Sequence, residues 1–101
     1  MEEGDVFHYA GLEIRVLSTP GHSEGSVCFL LPDMLLTGDT LFAASCGRTD
    51  LTGGSTVSMH ESLRRLYKLD FHGPVYCGHG IATELDRERE YNPYMKRAVA
   101  E

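Results

Sequence analysis

Apolar positions along the chain fall in short runs cut by glycine and proline. In residues 12–17, Leu12, Ile14 and Val16 alternate with Glu13 and Arg15, the two-residue period of a half-buried strand. Residues 6–10 read as a strand before it, with Gly11 as the hairpin turn. Thr19-Pro20-Gly21 ends the second strand, because proline has no N–H to give to a ladder and glycine permits the turn. Residues 26–31 and 34–37 are continuous apolar runs joined at Pro32-Asp33, where proline presets φ for a tight turn. Such runs predict strands covered on both faces. Residues 43–55 are small, polar and glycine-rich, a loop long enough to suspect function.

The period then changes. Met59, Leu63, Leu66 and Tyr67 recur at helical spacing behind Ser58-x-x-Glu61, which reads as a capping box, so one amphipathic helix is predicted near residues 58–69. It ends before Gly73-Pro74. Residues 74–79 read as the last strand and residues 83–91 as the last regular helix. The mixture of Glu84, Asp86, Arg87, Glu88, Arg89 and Glu90 on that helix reads as a solvated face. Pro93 interrupts it, and residues 94–101 are expected to form a short terminal turn of helix. His8 reads as a solvated or locally bonded histidine, and His60 and His72 read as solvated. No internal repeat is present.

Composition narrows the setting. The 101 residues suit one domain, residues 1–101, and with 42% hydrophobic and 24% charged residues the chain is globular rather than disordered. A formal charge of −6 argues against a phosphate-backbone partner, so no nucleic acid is expected. The acidic start Met1-Glu2-Glu3-Gly4-Asp5 lacks the apolar segment of a signal peptide, and no run approaches membrane-spanning length, so a cytoplasmic location is the expectation. Cys28, Cys46 and Cys77 are odd in number and widely spaced, which predicts free thiols rather than a disulfide framework.

The candidate chemistry lies where three strand-like runs end on a glycine: Gly21-His22, Gly38-Asp39 and Gly78-His79. A side chain at a strand end projects from a rigid edge, and the adjacent glycine lets the backbone turn sharply. Two imidazoles and a carboxylate suit zinc, iron or manganese. Two of them also have a plainer local reading: Asp39 as a turn former bonded to its own backbone, His22 as a structural histidine. Arg48 and Asp50 read equally as an ordinary surface pair. Gly21-His22-Ser23-Glu24-Gly25 matches the nucleophile elbow Gly-x-Ser-x-Gly with Ser23 as nucleophile, but the elbow needs a helix after it, and residues 26–31 have no helical period.

Taken in order, Thr19-Pro-Gly-His-Ser-x-Gly-Ser26, Thr37-Gly-Asp-Thr-Leu-Phe42, Gly47-Arg-Thr-Asp-Leu51, Gly78-His-Gly80 and Asn92-Pro-Tyr94 resemble the second half of metallo-β-lactamase-fold hydrolases, close to the glyoxalase II-like branch. The resemblance implies an α/β (α+β) fold: half of an αβ/βα sandwich, with one mostly antiparallel sheet and flanking helices. It implies His22, Asp39 and His79 as metal ligands, with Asp39 bridging two metals as the catalytic carboxylate, and Cys77, Arg48 and Asp50 as further candidates beside the site. The implied activity is metal-dependent hydrolysis of a small-molecule thioester, as in hydroxyacylglutathione hydrolases. The family's His-x-His-x-Asp-His segment does not occur in these 101 residues. The chain alone is therefore expected to hold metal weakly or not at all and to be inactive or weakly active. Its expected partner is a further copy of itself or an N-terminal half-domain, with no membrane. Two other readings stay open: a non-catalytic, self-associating half-domain with a metal at a shared interface, and an iron protein similar to persulfide dioxygenases.

Overall fold

The computed structural model describes residues 3–50, 53–78 and 80–100. Eight strands and three helices occur among them: β1 (Val6–Tyr9), β2 (Leu12–Ser18), β3 (Val27–Leu30), β4 (Leu35–Gly38), β5 (Leu41–Phe42), β6 (Ser45–Cys46), α1 (Thr56–Tyr67), β7 (Pro74–Cys77), β8 (Thr83–Glu84), α2 (Leu85–Tyr91) and α3 (Pro93–Ala100). Six strands form one sheet in the order β1-β2-β3-β4-β7-β8, and β5-β6 is a separate hairpin. Every pairing is antiparallel except β4 with β7, which is parallel. The mostly antiparallel α+β architecture is the expected one.

Local chemistry explains most elements. The β1–β2 turn places Ala10 at φ 52° and Gly11 at φ 81°, the double positive φ of a hairpin whose twist matches its strands. At Pro32-Asp33 the turn is closed by Leu31 N–H donating to the Met34 carbonyl at 2.9 Å. The loop expected at residues 43–55 is more regular than its composition suggests, because Ala44 at φ 59° reverses the chain between β5 and β6.

Several expectations are corrected. Helix α1 begins at Thr56 with Ser55 as N-cap, whose hydroxyl accepts from Ser58 N–H at 3.1 Å. Ser58 is thus the capped residue and not the cap, since Ser55 already satisfies the free donor at the helix start. Residues 83 and 84 form a strand paired with Pro74 and Val75 before α2 starts. The charged run on α2 is not uniformly solvated. Glu88 is 2% exposed, and Arg89 donates to the carbonyls of Tyr67, Phe71 and Leu69, which end α1 and its exit. His72 is exposed and bonded to Asp86. The terminal segment is a full helix, α3, because Asn92 caps it by accepting from Tyr94 and Met95 N–H at 2.9 and 3.0 Å. Leu51, His79 and Glu101 lie outside the described residues.

The core sits between one face of the sheet and the helices. Leu17, Cys28, Leu35 and Val75 pack with Met59, Leu63 and Leu66 of α1 and with Leu85, Met95 and Ala98. On the opposite face, register aligns Tyr76 with Leu36, Leu36 with Phe29 and Phe29 with Val16. Strand alternation adds Val27, Ile14 and Leu12 to it, and pairing adds Phe7 and Tyr9. No described helix of this chain covers that face, and Tyr76 is 45% exposed, Phe7 42% and Tyr9 75%. The continuous apolar runs therefore have helices on one face only. The stripe of Leu12, Ile14 and Val16 points away from the helices, and Leu17 is the residue of β2 that enters the helix-side core.

Candidate metal centre

His22 and Asp39 follow β2 and β4, which lie on either side of β3, and their side chains meet beyond the strand ends. His22 Nε2 stands 3.7 Å from Asp39 Oδ2. The backbone turns that deliver them use glycine for the reasons the sequence suggested: Gly21 has φ 147° and Gly38 φ 50°. Gly21 also has no room for a side chain, since a Cβ there would lie 2.5 Å from the Met59 Cα of α1.

Helix α1 holds the segment before His22 at several points. Ser55 N–H donates to the Gly21 carbonyl at 2.7 Å, Ser62 Oγ to the Pro20 carbonyl at 2.7 Å, and Arg65 to the Ser18 carbonyl at 3.2 Å. Glu3 accepts from Ser18 N–H and from Arg65, and the adjacent guanidinium lowers its pKa to about 2. The turns that carry His22 and Asp39 are joined underneath by Thr19 and Thr40, both fully buried, whose hydroxyls are 3.1 Å apart. Gly47 N–H donates to the Thr40 carbonyl at 3.2 Å and brings the 47–50 segment against the pair. A Cβ on Gly47 would lie 1.8 Å from the Asp39 carbonyl oxygen, so the close approach requires glycine.

The imidazole is oriented by backbone. His22 Nδ1 is 2.9 Å from the Arg48 carbonyl. A carbonyl only accepts, so Nδ1 carries a proton, and Nε2 is the ring nitrogen that faces the Asp39 carboxylate. That is the usual arrangement of a metal-ligating histidine, in which the second nitrogen is tied to an outer oxygen. The donor chemistry fits a divalent cation. These two side chains are the donors the described residues supply, and no group of three or more His, Cys, Asp or Glu side chains assembles among them.

The other candidates are placed differently. Arg48 and Asp50 bond each other through Nε and an η nitrogen, both at 3.1 Å, and both side chains are largely exposed. It is the Arg48 carbonyl, not its guanidinium, that touches the pair. The Arg48 guanidinium holds the Asp50 carboxyl below its ordinary pKa. Cys77 is half-buried against the helix-side core, with its thiol 3.8 Å from the Ile81 carbonyl, and burial raises its pKa. Burial likewise pushes the Cys28 thiol up to about 11. Ser23 bonds the Ser26 hydroxyl at 2.8 Å and is followed by β3 rather than a helix, so the nucleophile-elbow geometry is absent.

Thr19, Thr40, Glu88 and Asn92 were not singled out by sequence reasoning as supports of the site. Glu88 accepts from Ala44 N–H at 2.7 Å, Thr83 Oγ1 at 2.8 Å and Asn92 Nδ2 at 2.9 Å. Asn92 Nδ2 also reaches the Phe42 and Ser45 carbonyls at 3.3 and 3.0 Å, which pins the β5–β6 hairpin to the helices. The Asn92-Pro93-Tyr94 motif was the visible trace of this clamp.

Fold and site together define an α+β protein that presents a backbone-oriented imidazole and a carboxylate side by side beyond the sheet edge. The chain belongs to the metallo-beta-lactamase superfamily, whose sequence pattern matches residues 2–79. It is 43% identical over 81 residues to a hydroxyacylglutathione hydrolase of Brucella anthropi, covering 78% of this chain and 30% of that one. The solved structure of ETHE1 from Myxococcus xanthus superposes with a TM-score of 0.88 at 34% identity, over 100% of this chain and 46% of its own. A di-iron-bound structure of TTHA1623 superposes with a TM-score of 0.82 at 40% identity, over 93% of this chain and 46% of its own. The chain thus spans about half the length of these solved relatives, and none of the helices among the described residues is long and apolar enough to cross a membrane.

Proposed function

We propose that the chain forms the C-terminal half of a metal-dependent thioester hydrolase site of the hydroxyacylglutathione hydrolase type. The observation that carries this reading is the His22 ring, tied through Nδ1 to a backbone carbonyl with Nε2 facing Asp39. His22 and Asp39 would hold the metal, with His79 as the third ligand from this chain by resemblance. A bound divalent metal supplies Lewis-acid polarisation of a carbonyl and a water that ionises near neutral pH. The chain's own contribution is positional. Thr19 and Thr40 fix the spacing of the two turns, the Arg48 carbonyl sets the imidazole tautomer, and Asp39 offers an oxygen to an attacking water.

The remaining ligands come from a second β layer seated on the face of Phe29, Leu36 and Tyr76. Two or three protein ligands shared between two metals fall short of the three per ion usual in catalytic zinc sites. The isolated chain is therefore expected to bind metal weakly and to cover its apolar face with a second copy of itself, since monomers seldom leave a face of that extent bare. Relatives of known structure include a di-iron form, so iron stands beside zinc and manganese as the metal.

The test is elemental analysis of the purified chain together with its solution mass and a thioesterase assay. The expected result is substoichiometric metal that Asp39→Ala removes, a mass above that of one 11.2 kDa chain, and turnover far below the ~1–10³ s⁻¹ of ordinary enzymes. Stoichiometric metal that Asp39→Ala and His22→Ala leave in place would overturn the site, and a clean monomer across micromolar concentrations would overturn the self-association.

A further inference from the structure

A cleft of about 420 Å³ opens on the other side of the 45–49 segment from the metal pair, between the start of α1 and α3. Its lining includes Arg48, Thr49, Thr56, His60, Tyr94 and Arg97, and no Asp or Glu is among the described residues that line it. That is notable in a chain of formal charge −6. The spacing is built by helix geometry: Thr56 and His60 are four residues apart on α1, and Tyr94 and Arg97 three apart on α3, so each pair shares one face. The Thr49 and Thr56 hydroxyls are 2.9 Å apart on the wall. Arg48 is matched by Asp50, whereas Arg97 has no hydrogen-bond or ion-pair partner among the described residues. The first turn of α1 carries no acidic side chain, so its N-terminal N–H groups add to the positive potential at that end.

We propose that this cleft is a binding subsite for a small oxyanion group, a carboxylate or phosphate, with Arg97 as its principal cation and the hydroxyls of Thr56 and Tyr94 as donors. Arginine suits the role because its fixed fork matches a planar or tetrahedral oxyanion. The subsite is one backbone layer from the metal pair. Gly47 lines the cleft, and a Cβ on it would come within 3.2 Å of His22 Cβ. A ligand anchored in the cleft by an anionic tail therefore extends over Gly47 and Arg48 to bring a carbonyl to His22 and Asp39. This extension rests on the hydrolase reading above; anion binding in the cleft does not.

The test is titration of the ¹⁵N-labelled 101-residue chain, in chelator, with inorganic phosphate, with succinate and with the uncharged dimethyl succinate. The expected result is saturable shifts of the amides around residues 47–49, 56–60 and 94–97 with at least one anion and none with the diester. Arg97→Gln should weaken that binding roughly tenfold, Arg97→Lys less, each with the dispersion of the remaining spectrum kept. Phosphate alone binding marks a phosphoryl tail, succinate alone a carboxylate one. Asp39→Ala should leave anion binding in chelator intact while lowering the metal content of chain purified without chelator, which separates failure of the subsite from failure of the metal centre. Absent saturation, or binding that neither Arg97→Gln nor His60→Gln alters, would overturn the proposal.

Discussion

Glu88 and His22 mark the two limits of what single residues disclose. Glu88 lies in a run of six charges among residues 84–90, and nothing in that run sets it apart. Its burial follows from donors elsewhere in the chain: the Ala44 N–H, the Thr83 hydroxyl and the Asn92 amide. Glu88→Ala leaves the Ala44 N–H and the Thr83 hydroxyl without their acceptor, while the Asn92 amide keeps the Phe42 and Ser45 carbonyls, and an orphaned donor costs about 1–3 kcal/mol. We expect Glu88→Ala to lower stability by about 3 kcal/mol, read as a fall in the urea midpoint at unchanged slope, with Glu88→Gln retaining part of it. An unaltered midpoint would show that the clamp contributes nothing. His22 and Asp39, by contrast, were legible because the glycine before each is a local necessity. The two threonines beneath them were not, since Thr19 and Thr40 meet only after two strands have paired.

At the scale of elements, periodicity revealed that α1 exists but not where it starts. Two serines three residues apart, Ser55 and Ser58, both precede acidic or apolar helical positions, and only the tertiary bond from Ser55 N–H to the Gly21 carbonyl selects the first. Ser55→Ala is therefore expected to cost about 1 kcal/mol, the ordinary worth of an N-cap, while Ser58→Ala stays within about 0.5 kcal/mol. Chemical denaturation of the two variants in parallel checks the order, and the reverse ranking would return the cap to Ser58. Strand β8 was missed because two residues carry no period, and its pairing with Pro74 and Val75 is a long-range fact. The β2–β3 and β3–β4 connections were legible because proline and glycine punctuate them in the sequence itself.

At the scale of the whole molecule, the apolar runs of β3 and β4 announced a two-sided burial that the described helices satisfy on one side. Composition cannot say which side, because a strand apolar on both faces has no preferred face until something packs on it. The sheet order holds a further consequence, for time rather than for space. Strands β1 to β4 follow one another through short turns, so their pairing closes only small loops. The parallel contact between β4 and β7 waits for a crossover running from Gly38 to Pro74 through the hairpin β5–β6 and α1. Non-local pairing is entropically late. His22 and Asp39 both sit in the early, local part. Refolding followed by pulse-labelled hydrogen exchange should show amides of β2 and β3 protected before those of β7, and simultaneous protection would count against the sequence of events. Refolding would then bring His22 and Asp39 together before the β4–β7 contact forms, a window in which divalent ions in the medium can steer the rate.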